Sequence, residues 1–380
     1  MHDLKDIPLW RQPRVRGLFV QILLIVLVCW VIGTGVQNTI DNMTKRGLAS
    51  GFGFLSDPAG FDIIFSMLPW SEDHSNGRAF LVALLNTLLV SFLGIVLATA
   101  IGFMVGIARL SSNWLASTLA SIWVESIRNV PLLLQLFIWY FGVIQNLGGT
   151  RQSMAFYDVV FLNVRGLYFP WPKSPHEMLI FLVSFSFLFL GMRYFTIRHS
   201  RSKRFFWITL LLFTCCLWFL SGANLAFDIP TIRGFNFQGG AVLVPELVAL
   251  LLGLATYTSA FVAEIVRAGF LSVNRGQFEA AASLGLNRSQ TLKFVIIPQA
   301  LRVIIPPLTS QYLNLTKNSS LGSAIAYPEI VLIFAGTVLT QTGMAVEIVA
   351  MTMGVYLVIS LLIAAVMNKY NSWIMGHGGG

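Results

Sequence analysis

The sequence predicts an all-α polytopic membrane protein with about eight transmembrane helices, and three observations carry that prediction. Hydrophobic residues make up 56% of the chain and charged residues only 11%, whereas a soluble domain carries about 25% charged residues. The apolar residues fall in long blocks, several near the ~20 residues needed to cross a bilayer. Lysine and arginine collect in alternate loops, as membrane topology requires. A β-barrel would show short alternating strands instead.

The first span is drawn at residues 17–35, after a basic leader containing Lys5, Arg11, Arg14 and Arg16. The apolar run is too long for a cleaved signal peptide and no small-residue cleavage site follows it, so it reads as an uncleaved anchor. Further spans are expected at 80–108, 131–145, 177–194, 205–220, 245–266, 299–317 and 344–367. With the N-terminus inside, 17 basic residues fall on the cytoplasmic side and 7 on the outer side, with Lys317 left in a span. This asymmetry places both termini in the cytoplasm and reads the net charge of +9 as a topology signal, not as a nucleic-acid footprint. A seven-span alternative would put the Arg193–Arg204 and Arg267–Arg302 clusters on opposite sides.

The outer loop 37–76 holds Asp41, Asp57, Asp62, Glu72 and Asp73, and the loop 146–176 is rich in Gly, Tyr, Trp and Pro. Tyr168, Phe169 and Trp171 suit a membrane–water interface. Ser174, Pro175 and Glu177 read as N-cap, N1 and N3 of a helix start. No separate soluble domain is expected. Cys29, Cys215 and Cys216 lie in apolar blocks and read as packing residues, and the five histidines lack metal-ligand spacing.

The most informative segment is the cytoplasmic loop 272–298. Asn274 and Gln277 fit a capping box, with Val273 and Phe278 at the positions of a hydrophobic staple. The helix they open runs to about Leu284, and Gly285 sits where a left-handed residue ends a helix. Asn287 and Gln290 repeat the cap and open a second short helix, which Pro298 is expected to end as the next span begins. Two short helices with a sharp turn are therefore predicted. An ordinary amphipathic loop has the same periodicity.

The run Glu279-Ala280-Ala281, then Gly285, then Val295-Ile296-Ile297-Pro298, resembles the coupling loop of ABC importer permeases, whose pattern is E-A-A, three residues, G, nine residues, I-x-L-P. Val295 and Ile297 stand in for the usual Ile and Leu. Asn86-Thr87-Leu88, Arg128 to Gln135, Tyr257 to Arg267, Gly276-Gln277, Pro298 to Arg302 and Lys317 to Leu321 resemble the polar amino-acid branch of these permeases. Asn129-Val130 and Asn318, which replace commoner branch residues, and the extra spans are most similar to general L-amino-acid permeases.

The resemblance covers about residues 80–368. It implies a five-helix type I importer core (spans two, three, six, seven and eight) with three added helices, in the bacterial inner membrane. Around the core would lie a leader, first span and outer loop at 1–79, the insertions 146–176 and 177–220, the coupling loop 274–298 and a tail at 369–380. It also implies a cytoplasmic ABC ATPase dimer, a second related permease and a periplasmic amino-acid-binding protein as partners. The chain has no G-x-x-x-x-G-K-[ST] phosphate loop. ATP and Mg²⁺ would therefore sit on the ATPase, with no cofactor on this chain and no catalytic or metal residue. Glu279 is expected to meet basic or amide groups of the ATPase while Ala280 and Ala281 allow close backbone approach, although a solvated helix face would also accept Glu279.

Charge within a span is costly and usually functional. Glu264 and Arg267 lie one turn apart and can pair, as a gate or as a structural ion pair. Pro306-Pro307 is expected to break span seven, and such backbone is tolerated where it lines a cavity. The pathway candidates are Thr258, Ser259, Glu264, Lys317, Asn318 and Ser320, with Asn86 and Gln135 behind them. Helix–helix contacts would equally use the Ser and Thr residues. An ion-gradient-driven secondary transporter would explain the spans and the intramembrane charge but gives no reason for the two-helix loop. A membrane enzyme would need a catalytic constellation, and none stands out.

Overall fold

The structure, a computed structural model, describes residues 13–45, 51–174, 186 and 227–376. Spans four and five, Pro175 to Glu177, Cys215, Cys216 and most of the basic leader lie outside the described residues. Among the described residues there are five long apolar helices: α1 (Pro13–Lys45), α2 (Asn76–Arg109), α5 (Pro245–Leu271), α8 (Ile297–Asn318) and α10 (Ala345–Gly376). They correspond to spans one, two, six, seven and eight. Mean hydropathy over their apolar windows reaches 2.5; in hydrocarbon a helix is favoured because it satisfies its own backbone.

Span three takes a form the sequence reading did not foresee. Its apolar half, α4 (Leu132–Phe137) with its continuation to Asn146, meets α3 (Trp114–Arg128) at 104°. Asn113 caps α3 through bonds from the amides of Leu115 and Ala116 at 3.0 and 3.2 Å. The amphipathic α3 gives no long apolar run, so span-length hydrophobicity does not reveal it. Pro131 sets the bend, because proline disfavours helical backbone at the residue before it. Gln135 holds it, its amide donating to the carbonyls of Ile127 (2.8 Å) and Val130 (2.9 Å).

Within residues 85–329 and 358–380, which form one compact unit, α5 is the central element. Leu247, Leu250, Leu254, Ala260, Val262 and Val266 along it are buried. Gly102 and Gly106 of α2 lie against it: a Cβ at Gly102 would sit 2.5 Å from the side chain of Val262, and one at Gly106 2.9 Å from the carbonyl of Ala263. Overpacking of this kind costs about 1–3 kcal/mol. Gly102→Val is therefore expected to lower the melting temperature of the detergent-purified permease, while an unchanged melting curve would show that the helices part easily.

The loops of this unit carry short strands that were not expected, because two- to four-residue strands leave little periodicity. The strands β1 (Met154–Phe156), β2 (Val160–Asn163), β3 (Gly166–Phe169) and β8 (Ala241–Leu243) form an antiparallel sheet in that order. β4 (Trp171–Pro172) pairs with β5 (Phe227–Asp228), and β6 (Thr231–Arg233) with β7 (Asn236–Gln238). Gly166, at φ +122°, passes so close to β8 that a Cβ would lie 2.1 Å from the Leu243 carbonyl. This sheet end leads through Pro245 straight into α5.

The second unit comprises residues 1–84 and 330–357. In it the described side chains of α1 are exposed along its length. Phe80 meets Phe334 edge-on at 5.0 Å, and Glu347 accepts from the amide of Gly51 at 2.7 Å. The apolar helix Val331–Thr342, whose first part is π-helical and whose last turn is α9 (Leu339–Thr342), was also unforeseen.

Candidate functional site

The loop after α5 folds as two short helices. α6 (Arg275–Ser283) is capped by Asn274, whose side chain accepts from the Gly276 amide at 2.8 Å. The expected capping box is not closed. Gln277 instead accepts from Nε2 of Gln299 at 3.0 Å, so a partner 22 residues away replaces the local one. The staple does not form either: Val273 is buried among Val266, Ile296 and Ala300, whereas Phe278 is 41% exposed.

At the other end of α6 the amide of Gly285 bonds Ala282 (2.9 Å) and that of Leu286 bonds Ala281 (3.1 Å). Gly285 has φ +72°, completing a Schellman motif. Asn287 and Gln290 form the expected capping box at the start of α7 (Arg288–Thr291). Glu279, Ala280 and Ala282 are exposed, while Ala281 is buried.

Two proline expectations are corrected. Pro298 does not end the second helix: α7 passes through a π-helical turn, Leu292–Ile296, directly into α8. The wider turn lets the Ile297 amide reach the Leu292 carbonyl, carrying the helix onto a proline that cannot donate. Nor do Pro306 and Pro307 break the span; both lie inside a continuous α8. Their missing donors strand only two carbonyls, and in hydrocarbon the remaining backbone has no water to turn to.

Near the far end of α8 is a cavity of about 290 Å³, lined by Tyr257, Thr258 and Phe261 of α5 and by Gln311, Asn314 and Asn318 of α8. Two of the sequence candidates, Thr258 and Asn318, meet here. Gln311 and Asn314 were missed, yet the i, i+3, i+7 spacing of 311, 314 and 318 places three carboxamides on one face of a helix, and that signal was present. The lining has hydrogen-bond donors and acceptors of both kinds and no charged side chain. Its volume is at the lower end for small-solute sites, about 300 Å³.

The other candidates are placed elsewhere. Ser259 and Ser320 donate to the backbone carbonyls of Thr256 and Lys317, both at 2.8 Å. Asn86 is buried, donates to the Pro328 carbonyl (2.9 Å) and receives the Tyr327 hydroxyl on its own carbonyl (3.0 Å). Gln135 belongs to the α3–α4 bend. Lys317 is exposed in the last turn of α8 and does not line the cavity.

Glu264 joins an ion cluster at the end of α5 nearer the two-helix loop. It accepts from Arg267 at 2.6 Å, the expected one-turn pair, and also from Arg109 of α2. Arg109 in turn donates to Ser121 of α3 at 3.2 Å. The carboxylate thus ties α5 to α2, and the Arg109 guanidinium extends the link to α3. One turn away, Arg128 stacks over Phe261 at 5.2 Å, placing a cation against the back of a cavity residue.

Comparison with known proteins is consistent with this arrangement. The family profile described as "Binding-protein-dependent transport system inner membrane component" matches residues 204–374. The chain is 50% identical over 371 residues to the putative amino-acid ABC transporter permease protein YhdX of Escherichia coli, covering 95% of this chain and 94% of that one. It is 43% identical to the general L-amino acid transport system permease protein AapQ of Rhizobium johnstonii, covering 95% and 92%. It is 38% identical to the glutamate/glutamine/aspartate/asparagine transport system permease protein BztB of Rhodobacter capsulatus, covering 95% and 94%. With half its residues shared along nearly the whole of both chains, the protein belongs to the binding-protein-dependent transport system inner membrane component family, in its branch of amino-acid ABC transporter permeases.

Proposed function

We propose that this chain is the membrane-embedded subunit through which an ATP-driven importer of the bacterial inner membrane moves L-amino acids of varied side chain into the cell. The observation that carries this reading is the doubly capped pair of helices at Asn274–Thr291, joined without a break to the cavity-lining α8. A short helix capped at both ends has already met its ordering cost, so a cytoplasmic ATPase dimer can push on it without first folding it. With both termini in the cytoplasm, that loop faces the ATPase, and ATP and Mg²⁺ stay on the partner. A second, related permease subunit completes the pathway, and a periplasmic binding protein delivers the solute.

Broad substrate range is supported by the names of the relatives and by the uncharged cavity. Carboxamides can donate to a carboxylate and accept from an ammonium, and they do not select on side-chain charge. Glu279→Lys tests the coupling role. The variant is expected to reach the membrane in normal amount, to lose ATPase on copurification, and to lose at least about tenfold in uptake, the effect of a like-charge contact or an unpaired charge at an interface. Full uptake with normal copurification would remove Glu279 from the motor contact.

A further inference from the structure

We infer that Gln277 and Gln299 form a clamp that makes the two-helix loop and the cavity-lining helix α8 move as one body. The inference rests on the proposed coupling role of the loop and adds a positioning pair to it. Neither residue touches solute or nucleotide; each acts through the helix it belongs to.

The geometry is as follows. α6 is attached to the rest of the chain by two short joints, Ser272–Asn274 at its start and Leu284–Asn287 at its end. The first joint connects α6 to α5, which is anchored at its loop end by the Arg109–Glu264–Arg267 cluster. The second contains the left-handed Gly285, a residue with backbone freedom and an exposed surroundings in which a Cβ would meet no atom within 4 Å. Joints of this kind let a nine-residue helix, about 13 Å long, rock relative to its neighbours.

What ties α6 to α8 directly is the 3.0 Å bond from Gln299 to Gln277. Gln299 lies in the first turn of α8, one residue after Pro298. Val273, in the joint between α5 and α6, shares a core with Val266 of α5 and with Ile296, Ala300 and Ile304, so an apolar contact holds that joint against the start of α8 while the carboxamide bond alone reaches from α6 itself. From Gln299 the helix runs unbroken past Pro306 and Pro307 to Gln311, Asn314 and Asn318 at the cavity. A displacement of α6 therefore has a direct route to the cavity through α8, and without the clamp the same displacement is shared with α5.

The chemistry suits a linkage that must hold its length under load. A carboxamide pair is uncharged, so its strength varies little with salt, and each partner keeps a further donor or acceptor for water. A salt bridge at the same exposed place would be screened.

The test uses the full transporter, permease with its ATPase, reconstituted in proteoliposomes. Gln277→Leu and Gln299→Leu keep side-chain size and helix propensity while removing the bond. Each is expected to retain ATPase copurification and to lower amino-acid uptake per ATP hydrolysed by about two- to tenfold, the range set by the net worth of one hydrogen bond. The two losses should not add in the double variant. The pair Gln277→Glu with Gln299→Lys, which restores a link that salt screens, is expected to recover most of the ratio at low ionic strength and to lose it again as salt is raised.

Unchanged uptake per ATP in both leucine variants, additive losses, or no recovery in the charged pair would each overturn the clamp. Loss of ATPase copurification in either leucine variant would also overturn it, by placing that residue in the motor contact instead. If the coupling reading itself were wrong, Glu279→Lys would leave copurification intact, an outcome separate from all of these.

Discussion

Replacing Glu264 with glutamine is expected to destabilise the permease by roughly 1–3 kcal/mol, between the worth of an exposed ion pair and the loss on removing one partner of a buried one. The reason lies in what is left behind. The side chain of Arg109 is only 11% exposed and that of Arg267 32%, and both are directed at the one carboxylate. Glutamine can still accept one hydrogen bond but cannot balance two guanidinium charges directed at one place between packed helices. The helices that Arg109 and Glu264 join, α2 and α5, are also the helices that Gly102 and Gly106 allow to pack closely, so two facing guanidiniums would push apart elements with no slack between them. The measurement is thermal unfolding of the purified transporter, with membrane yield alongside it. Glu264→Asp, which keeps the charge, should lose less. A melting temperature unchanged in Glu264→Gln would show that water reaches the cluster and would reduce it to a surface pair.

The second large effect is expected at the cavity. Asn314→Asp changes one atom of the lining but introduces a negative charge between Gln311 and Asn318. Uptake of acidic amino acids should then fall by about tenfold, since a like-charge contact within about 4 Å costs on the order of one to a few kcal/mol at a protein surface. Basic amino acids should be affected least. Asn314→Leu should instead lower uptake of all classes by about two- to tenfold, the worth of a single lost hydrogen bond. Competition assays with radiolabelled glutamate, glutamine and arginine would read both patterns. A uniform loss in Asn314→Asp, regardless of solute charge, would mean that this residue supports the helix without facing the solute.

Much of the membrane architecture was legible because it depends on composition along the chain. α1, α2, α5, α8 and α10 each contain an apolar block long enough to cross a bilayer. Local backbone chemistry was also readable: Gly285 adopts the left-handed conformation and Asn287 with Gln290 closes a capping box, because these features require only neighbours within three or four residues. What was not legible depended on distant partners. Gln277 has a suitable local role as a cap, yet it bonds Gln299; sequence spacing cannot rank the two. Pro306 and Pro307 would interrupt a helix in water, but α8 continues through both.

The cavity was half legible for a related reason. Thr258 and Asn318 stood out as polar residues in apolar blocks, but Ser259 and Ser320 did so equally and turn to their own helices. Deciding between them requires knowing which face of α5 meets α8. Lys317 and Glu264 attracted attention through charge, and neither lines the cavity; the carboxamides of Gln311 and Asn314 do.

The pairing of β4 with β5 has a consequence for how this chain could have acquired its length. Trp171 lies opposite Asp228, and Pro172 opposite Phe227, on the rungs of one two-stranded ribbon. The polypeptide therefore leaves this ribbon and returns to it at the same place, so the pairing of β3 with β8 that leads into α5 does not depend on how many residues lie between. A change in the number of residues between these two rungs would leave the pairing of β3 with β8, and with it the entry into α5, in the same register.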